Sequence, residues 1–168
     1  DDSKGEIALC ILSAINVGKI SKLEEMEELC DLVVRGLEEL IDYQEYPVLA
    51  AKLSTQSRRS LGVGYIGLAH YLAKNGEHYA DKGAWKLVHD LTEAFQYNLL
   101  KASNNLAKER GACAAFQHTK YSDGILPIDT YKKEVDEIVD NTLAYDWNSL
   151  RDDCLLYTSP SPRDLGKS

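Results

Sequence analysis

No apolar run in this 168-residue chain approaches the ~20 residues that a membrane-crossing helix needs. The opening Asp1-Asp2-Ser3-Lys4 has neither the basic nor the apolar region of a secretory leader. A cytoplasmic location with no membrane partner is therefore expected. Methionine is missing from position 1 while an apolar run starts almost at once, so we expect a piece cut from a longer polypeptide. Basic residues are scarce, with 19 Lys and Arg against 27 Asp and Glu and a net charge of −8. They form no stripe that would neutralise phosphates, which argues against a nucleic-acid partner. The four cysteines, Cys10, Cys30, Cys113 and Cys154, make no C-x-x-C and no even framework, and they read as free thiols of a reducing compartment. Cys113 and His118 are near neighbours, but His70, His78 and His89 lack partner spacing for the four ligands of a zinc site, so no metal is expected.

The composition that is present, 44% hydrophobic and 27% charged, is that of an ordinary globule. Gly5 to Gly18 reads GEIALCILSAINVG, an apolar run too short for a core helix and suited to a buried strand. Cys10 sits in its middle and should be held rigidly. A lone thiol there is a poor metal ligand but well placed for radical or disulfide chemistry if a second thiol approaches from another strand. The residues alone favour a core strand cysteine with no redox role.

Ser21 and Glu24 have capping-box spacing before a run in which Leu23, Met26, Leu29, Cys30, Val33, Leu37, Leu40 and Ile41 recur every three or four residues. This predicts a helix over Lys22 to Asp42 with Cys30 as a core hydrophobe and Glu24, Glu25, Glu27 and Glu28 as a solvated first-turn face. After Pro47 come a short apolar segment, Val48 to Leu53, and a polar loop, Ser54 to Ser60. Arg58-Arg59 in that loop would hold a phosphate or, more simply, form ion pairs.

Gly62 to Gly67 spells GxGxxG, but no strand precedes it and no acidic residue follows at the tip of a second strand, so the dinucleotide reading fails. A helix over Val63 to Lys74 is expected instead, ended by Asn75-Gly76. A long amphipathic helix follows from about Asp81 to Arg110, with Ala84, Val88, Leu91, Phe95, Leu99, Ala102 and Leu106 as its core stripe and Gly111 as its stop. At 1.5 Å per residue this is a rod of roughly 45 Å, long enough to brace a larger body. Gly124 to Pro127 turns into a last short helix near Asp129 that carries Tyr131, Val135, Ile138 and Val139.

Several words occur together: GEIALC-x-LSA-x-N at Gly5 to Asn16, DYQ-x-YP at Asp42 to Pro47, RR-x-LG-x-G at Arg58 to Gly64, and YLAK-x-G at Tyr71 to Gly76. LLKASN-x-LAKE-x-GAC at Leu99 to Cys113, GILPIDTYKK at Gly124 to Lys133 and YDW-x-x-LR at Tyr145 to Arg151 complete the set. On these words the chain resembles the large, catalytic subunit of class I ribonucleotide reductase in its bacterial class Ia branch. The resemblance implies a ten-stranded α/β barrel, of which residues 1–153 supply a predominantly α fragment, one N-terminal strand followed by several helices. It also implies a homodimeric oxidoreductase of deoxyribonucleotide biosynthesis that acts on ribonucleoside diphosphates by thiyl-radical chemistry. Cys10 would be one member of its redox-active disulfide pair. The implied partners are a small subunit with a diferric-tyrosyl-type di-iron radical source and thioredoxin or glutaredoxin as reductant, with ATP and dNTPs as effectors. The fragment itself is expected to bind no cofactor or metal and to be inactive alone. Residues 154–168 fall outside the resemblance. Cys154 to Asp164, CLLYTSPSPRD, reads as the one-frame translation of a transposase-derived sequencing adapter, with Leu165 to Ser168 as its continuation, so a non-native, disordered tail is expected. Periodicity and composition alone would instead favour a helical interaction or scaffold domain without chemistry.

Overall fold

A computed structural model describes residues 5–138 and 142–156. They are mostly helical, with one two-stranded sheet. Strand β1 (Ile11–Asn16) pairs in parallel with β2 (Leu61–Ile66), in register from Ile11 opposite Leu61 to Asn16 opposite Ile66. Parallel strands cannot be joined by a tight turn. Two helices, α1 (Glu25–Tyr43) and α2 (Leu49–Arg58), make the crossover.

The apolar spacing of α1 buries Met26, Cys30, Leu37 and Ile41 as expected, and Val34 as well, whereas the expected Leu40 is exposed. It starts at Glu25, three residues later than expected, and Glu25 rather than Glu24 reaches back: Glu25 Oε1 accepts from the Ser21 and Lys22 backbone N–H groups, each at 2.9 Å. The polar stretch after Leu53 is not a loop, since α2 runs on to Arg58 and buries Ser54 and Thr55, small enough to fit a close packing face.

The glycine-rich segment corrects a second expectation. Leu61 to Ile66 is strand, and the next helix, α3 (Leu68–Lys74), begins only after Gly67. Val63, Tyr65 and Ile66 favour extended backbone, and β1 lies alongside in parallel register. Gly67 supplies the sharp corner at φ +80°. A Cβ there would stand 2.6 Å from Asn16 Oδ1 and 3.1 Å from the Gly18 backbone nitrogen. Two glycines of GxGxxG thus lie inside a strand, with α2 before them, which is not the strand-to-helix turn of a dinucleotide site.

Helix α4 (Lys82–Arg110) matches its expected span, and the Gly111 backbone N–H closes it on Ala107 O. It has two apolar flanks. Leu91, Ala94 and Phe95 join Ile15, Val17, Met26, Cys30 and Leu72 in the main core, with Tyr65 edge-on to Phe95 at 5.4 Å. On the other flank Tyr97 and Leu100 meet Leu126, Tyr145, Trp147 and Leu150, where Tyr97 stacks on Tyr145 at 4.5 Å.

The single short helix expected near Asp129 is replaced by two separate 3-10 turns, Pro127–Asp129 and Lys133–Glu137, and the described apolar residues Tyr131, Val135 and Ile138 are exposed. Val139 lies outside the described residues. A helix absent from the sequence reading, α5 (Trp147–Leu156), docks on α4 and includes Cys154 and Leu155. The expected disorder from residue 154 therefore does not hold over 154–156, because Cys154 packs against the second core. The remainder, 157–168, lies outside the described residues.

Candidate functional site

The backbone alternation of β1 decides what its open side displays. Ile15 is buried, and Ile11 and Ser13 are partly covered, while Leu12, Ala14 and Asn16 face outward. Helices cover one face of the β1/β2 pair. The other face is bare among the described residues.

Cys10 lies at the mouth of this bare face. It stands one residue before β1 and is exposed, which corrects the expectation of a buried mid-strand cysteine. The physical reason is the missing cover on that side. A Cβ built at Gly62 would be 3.8 Å from Cys10 Sγ and 2.5 Å from Leu12 Cδ2, so the absence of a side chain at Gly62 lets the Leu12 side chain lie there, next to the thiol.

The backbone around Cys10 is tied on both sides. Upstream, the Ile7 backbone N–H donates to Ala50 O at 3.2 Å, and Arg58 Nη2 meets Glu6 Oε2 at 2.7 Å. Downstream, the Ile11 backbone N–H donates to Ser60 O at 3.2 Å. These bonds fasten the cysteine segment to α2 and to the entry of β2.

The other thiols differ in kind. Burial pushes the Cys30 thiol up to about 12, and it lies 3.9 Å from Phe95 O. Burial raises Cys113 and Cys154 as well. A thiol held protonated at neutral pH is a poor nucleophile in exchange. None of the four is bonded to another, and Cys10 is the exposed one. Among the described residues no group of three or more His, Cys, Asp or Glu side chains is arranged to hold a metal ion. No described helix is long and apolar enough to cross a membrane.

The paired arginines take carboxylates rather than a phosphate. Arg58 binds Glu6 at the surface, whereas Arg59 is nearly buried. Its Nε donates to Glu38 Oε1 at 2.6 Å, Nη1 to Asp42 Oδ1 at 3.0 Å, and Nη2 to Asp42 Oδ2 at 2.8 Å and to Glu38 O at 3.2 Å. Burial opposes the charge on Arg59, but the hydrogen bond to Asp42 and the charge of Glu38 outweigh it and hold its pKa above the ordinary value. The sequence reading did not single out Glu38. The available signal was its place on α1 one turn after Val34 and beside Leu37 and Ile41, a charge inside an apolar stripe.

Comparison with known proteins adds an independent finding. The family model described as ribonucleotide reductase, barrel domain, matches residues 1–157. The chain is 61% identical over 153 residues to the ribonucleoside-diphosphate reductase subunit alpha of Haemophilus influenzae, covering 91% of this chain and 20% of that protein. It is 57% identical over 112 residues to ribonucleoside-diphosphate reductase 1 subunit alpha of Escherichia coli, covering 67% and 15%. The Helicobacter pylori subunit alpha is 32% identical over 151 residues, covering 88% and 19%. The chain spans about a fifth of the length of the first of these relatives.

Proposed function

The chain belongs to the ribonucleotide reductase family, in its barrel domain, and we propose that it is an internal piece of the catalytic large subunit of a class I ribonucleoside-diphosphate reductase in which Cys10 is one half of a redox-active cysteine pair. The observation that carries the reading is the position of Cys10: the exposed thiol of the four, at the mouth of an uncovered sheet face. Disulfide formation needs two Cβ atoms about 3.5 to 4.5 Å apart, so a second thiol must reach the bare side of this thiol.

In this reading β1 and β2 are two neighbouring staves of a ten-stranded α/β barrel, and their bare face looks into the barrel. The substrate is a ribonucleoside diphosphate. The reductive half of the reaction balances within the thiol pair: two thiols give up two electrons and two protons, the 2′ carbon exchanges its C–O bond for a C–H bond, the hydroxyl leaves as water, and one S–S bond forms. Thioredoxin or glutaredoxin then returns the pair to thiols, a step that requires an approachable sulfur. The initiating radical comes from a di-iron small subunit, while ATP and dNTPs act on parts of the homodimeric subunit outside this segment. The location is cytoplasmic, and residues 154–168 are adapter-derived sequence that a fresh read of the source DNA would expose.

The test uses the full-length subunit with its small subunit and a thioredoxin system. Cys10→Ser is expected to lower kcat by at least about a hundredfold, as expected when one member of a unit that acts jointly is lost. After a single turnover without reductant, mass spectrometry of the unaltered subunit should find Cys10 in a disulfide. Turnover by Cys10→Ser equal to the unaltered enzyme would overturn the assignment.

A further inference from the structure

We infer that Arg59 is a positioning residue for Cys10, acting through the corner between α2 and β2; the inference rests on the redox reading of Cys10 for its functional meaning but not for its geometry. Among the described residues Arg59 is the one non-glycine residue with positive φ, at +51°. L side chains adopt that left-handed conformation at a cost, and glycine is the usual occupant. Here the corner is held by the side chain. The guanidinium grips Glu38 and Asp42 one turn apart on α1, and the Arg59 backbone N–H donates to Thr55 O at 2.8 Å to close α2.

The backbone just past the corner connects it to the thiol. Ser60 comes next in the chain, and its carbonyl accepts the Ile11 N–H, the amide adjacent to Cys10. The strand register begins one residue later, at Leu61 opposite Ile11. A shift of the Arg59 corner therefore moves Ser60, the start of β2 and Gly62, the three points that define where Cys10 sits and what space adjoins it. The Glu38 arm of the fork is shielded, with Arg59 and Glu38 side chains only 10% and 6% exposed, so water competes poorly for it, whereas Asp42 on the outer arm is 59% exposed. Arg58 reinforces the same segment from upstream through Glu6, but that pair is half exposed and contributes little. The double arginine thus anchors the thiol's backbone to α1 and α2.

The experiment compares Arg59→Gly, Arg59→Lys and Glu38→Gln in the full-length subunit, each checked for an unaltered far-ultraviolet spectrum. Glycine keeps the corner's backbone comfortable and removes only the fork, and lysine keeps the charge without the two-pronged geometry. Alkylation of Cys10, followed by mass spectrometry of its peptide, reads the thiol's placement whether or not it takes part in turnover. We expect Arg59→Gly and Glu38→Gln to change the alkylation rate by about threefold or more, since exposure governs thiol reactivity, with Arg59→Lys intermediate. We expect kcat to fall by about tenfold or more with KM within about twofold, the pattern of lost alignment rather than lost binding. Unaltered alkylation in Arg59→Gly overturns the inference whatever kcat does. Altered alkylation with unaltered kcat upholds it and counts against the redox role, and full activity of Cys10→Ser counts against that role alone.

Discussion

Glu93 offers the sharpest test of how the two halves of the molecule are joined. It lies on α4, and its carboxylate is buried against the segment that leads into α5. Three donors converge on it: the Ala144 backbone N–H at 3.0 and 3.1 Å to its two oxygens, the Tyr145 backbone N–H at 3.2 Å, and the Trp147 indole Nε1–H at 3.0 Å. The three donors are not equal. Ala144 is exposed and would recover a water, Tyr145 is half-buried, and Trp147 is buried and would lose its partner outright. A buried donor left unpaired costs about 1–3 kcal/mol and a hydrogen bond to a charged group contributes about 1.5–3 kcal/mol, so Glu93→Ala should destabilise the chain by about 3–4 kcal/mol. Glu93→Gln keeps one acceptor oxygen but turns an amide N–H₂ toward donors, and it should cost about 2 kcal/mol. Urea unfolding measures the total. Amide hydrogen exchange at Tyr145, which should accelerate in both variants, measures the local part. If Glu93→Gln and Glu93→Ala both unfold within about 0.5 kcal/mol of the unaltered chain, the convergence of donors is not what holds α5 to α4.

Two further outcomes can be checked on the same material. Gly67→Ala places a methyl 2.6 Å from Asn16 Oδ1 and 3.1 Å from the Gly18 backbone nitrogen in a left-handed corner, so stability should fall by about 2 kcal/mol or more in a thermal melt, and an unchanged midpoint would refute the packing account. Cys30 keeps its proton in the folded chain up to about pH 12, whereas the unfolded thiol loses it near 9.0. The unfolded state then binds fewer protons, so the stability that Cys30 provides is complete below pH 9 and drains away between pH 9 and 12. Cys30→Ala should flatten that alkaline decline by one proton's slope, and identical slopes would show that the thiol is not buried as described.

Much of the helical frame was legible because its punctuation is strong. Asp81 and Gly111 bracket α4, and the three-and-four spacing of Met26, Cys30, Leu37 and Ile41 marks α1 without ambiguity. The misreadings share a cause, small residues whose role depends on a neighbour. Gly62 and Gly64 look like turn glycines until β1 lies alongside, where the Leu12 side chain uses the room that Gly62 leaves. Ser54 and Thr55 look like loop until the fold buries them on α2, and the left-handed Arg59 is visible only once Glu38 and Asp42 are across from it. Cys10 was singled out through the motif that contains it. Its exposure was not, because a run of apolar letters cannot say which face has a cover. Glu93 escaped notice for the opposite reason, since a glutamate on a helix reads as solvated until a second layer closes over it.

The sheet has two strands and therefore two outer rims, each a row of amides and carbonyls with no ladder beyond it among the described residues. Parallel strands accept newcomers on either rim, and the adjoining surface shows Leu12 and Ile66 at 73% and 55% exposure. Handled by itself, such a molecule is a template with sticky margins, so its state in solution should depend on protein concentration, and tethering a charged residue at Leu12 is the simplest way to keep copies apart.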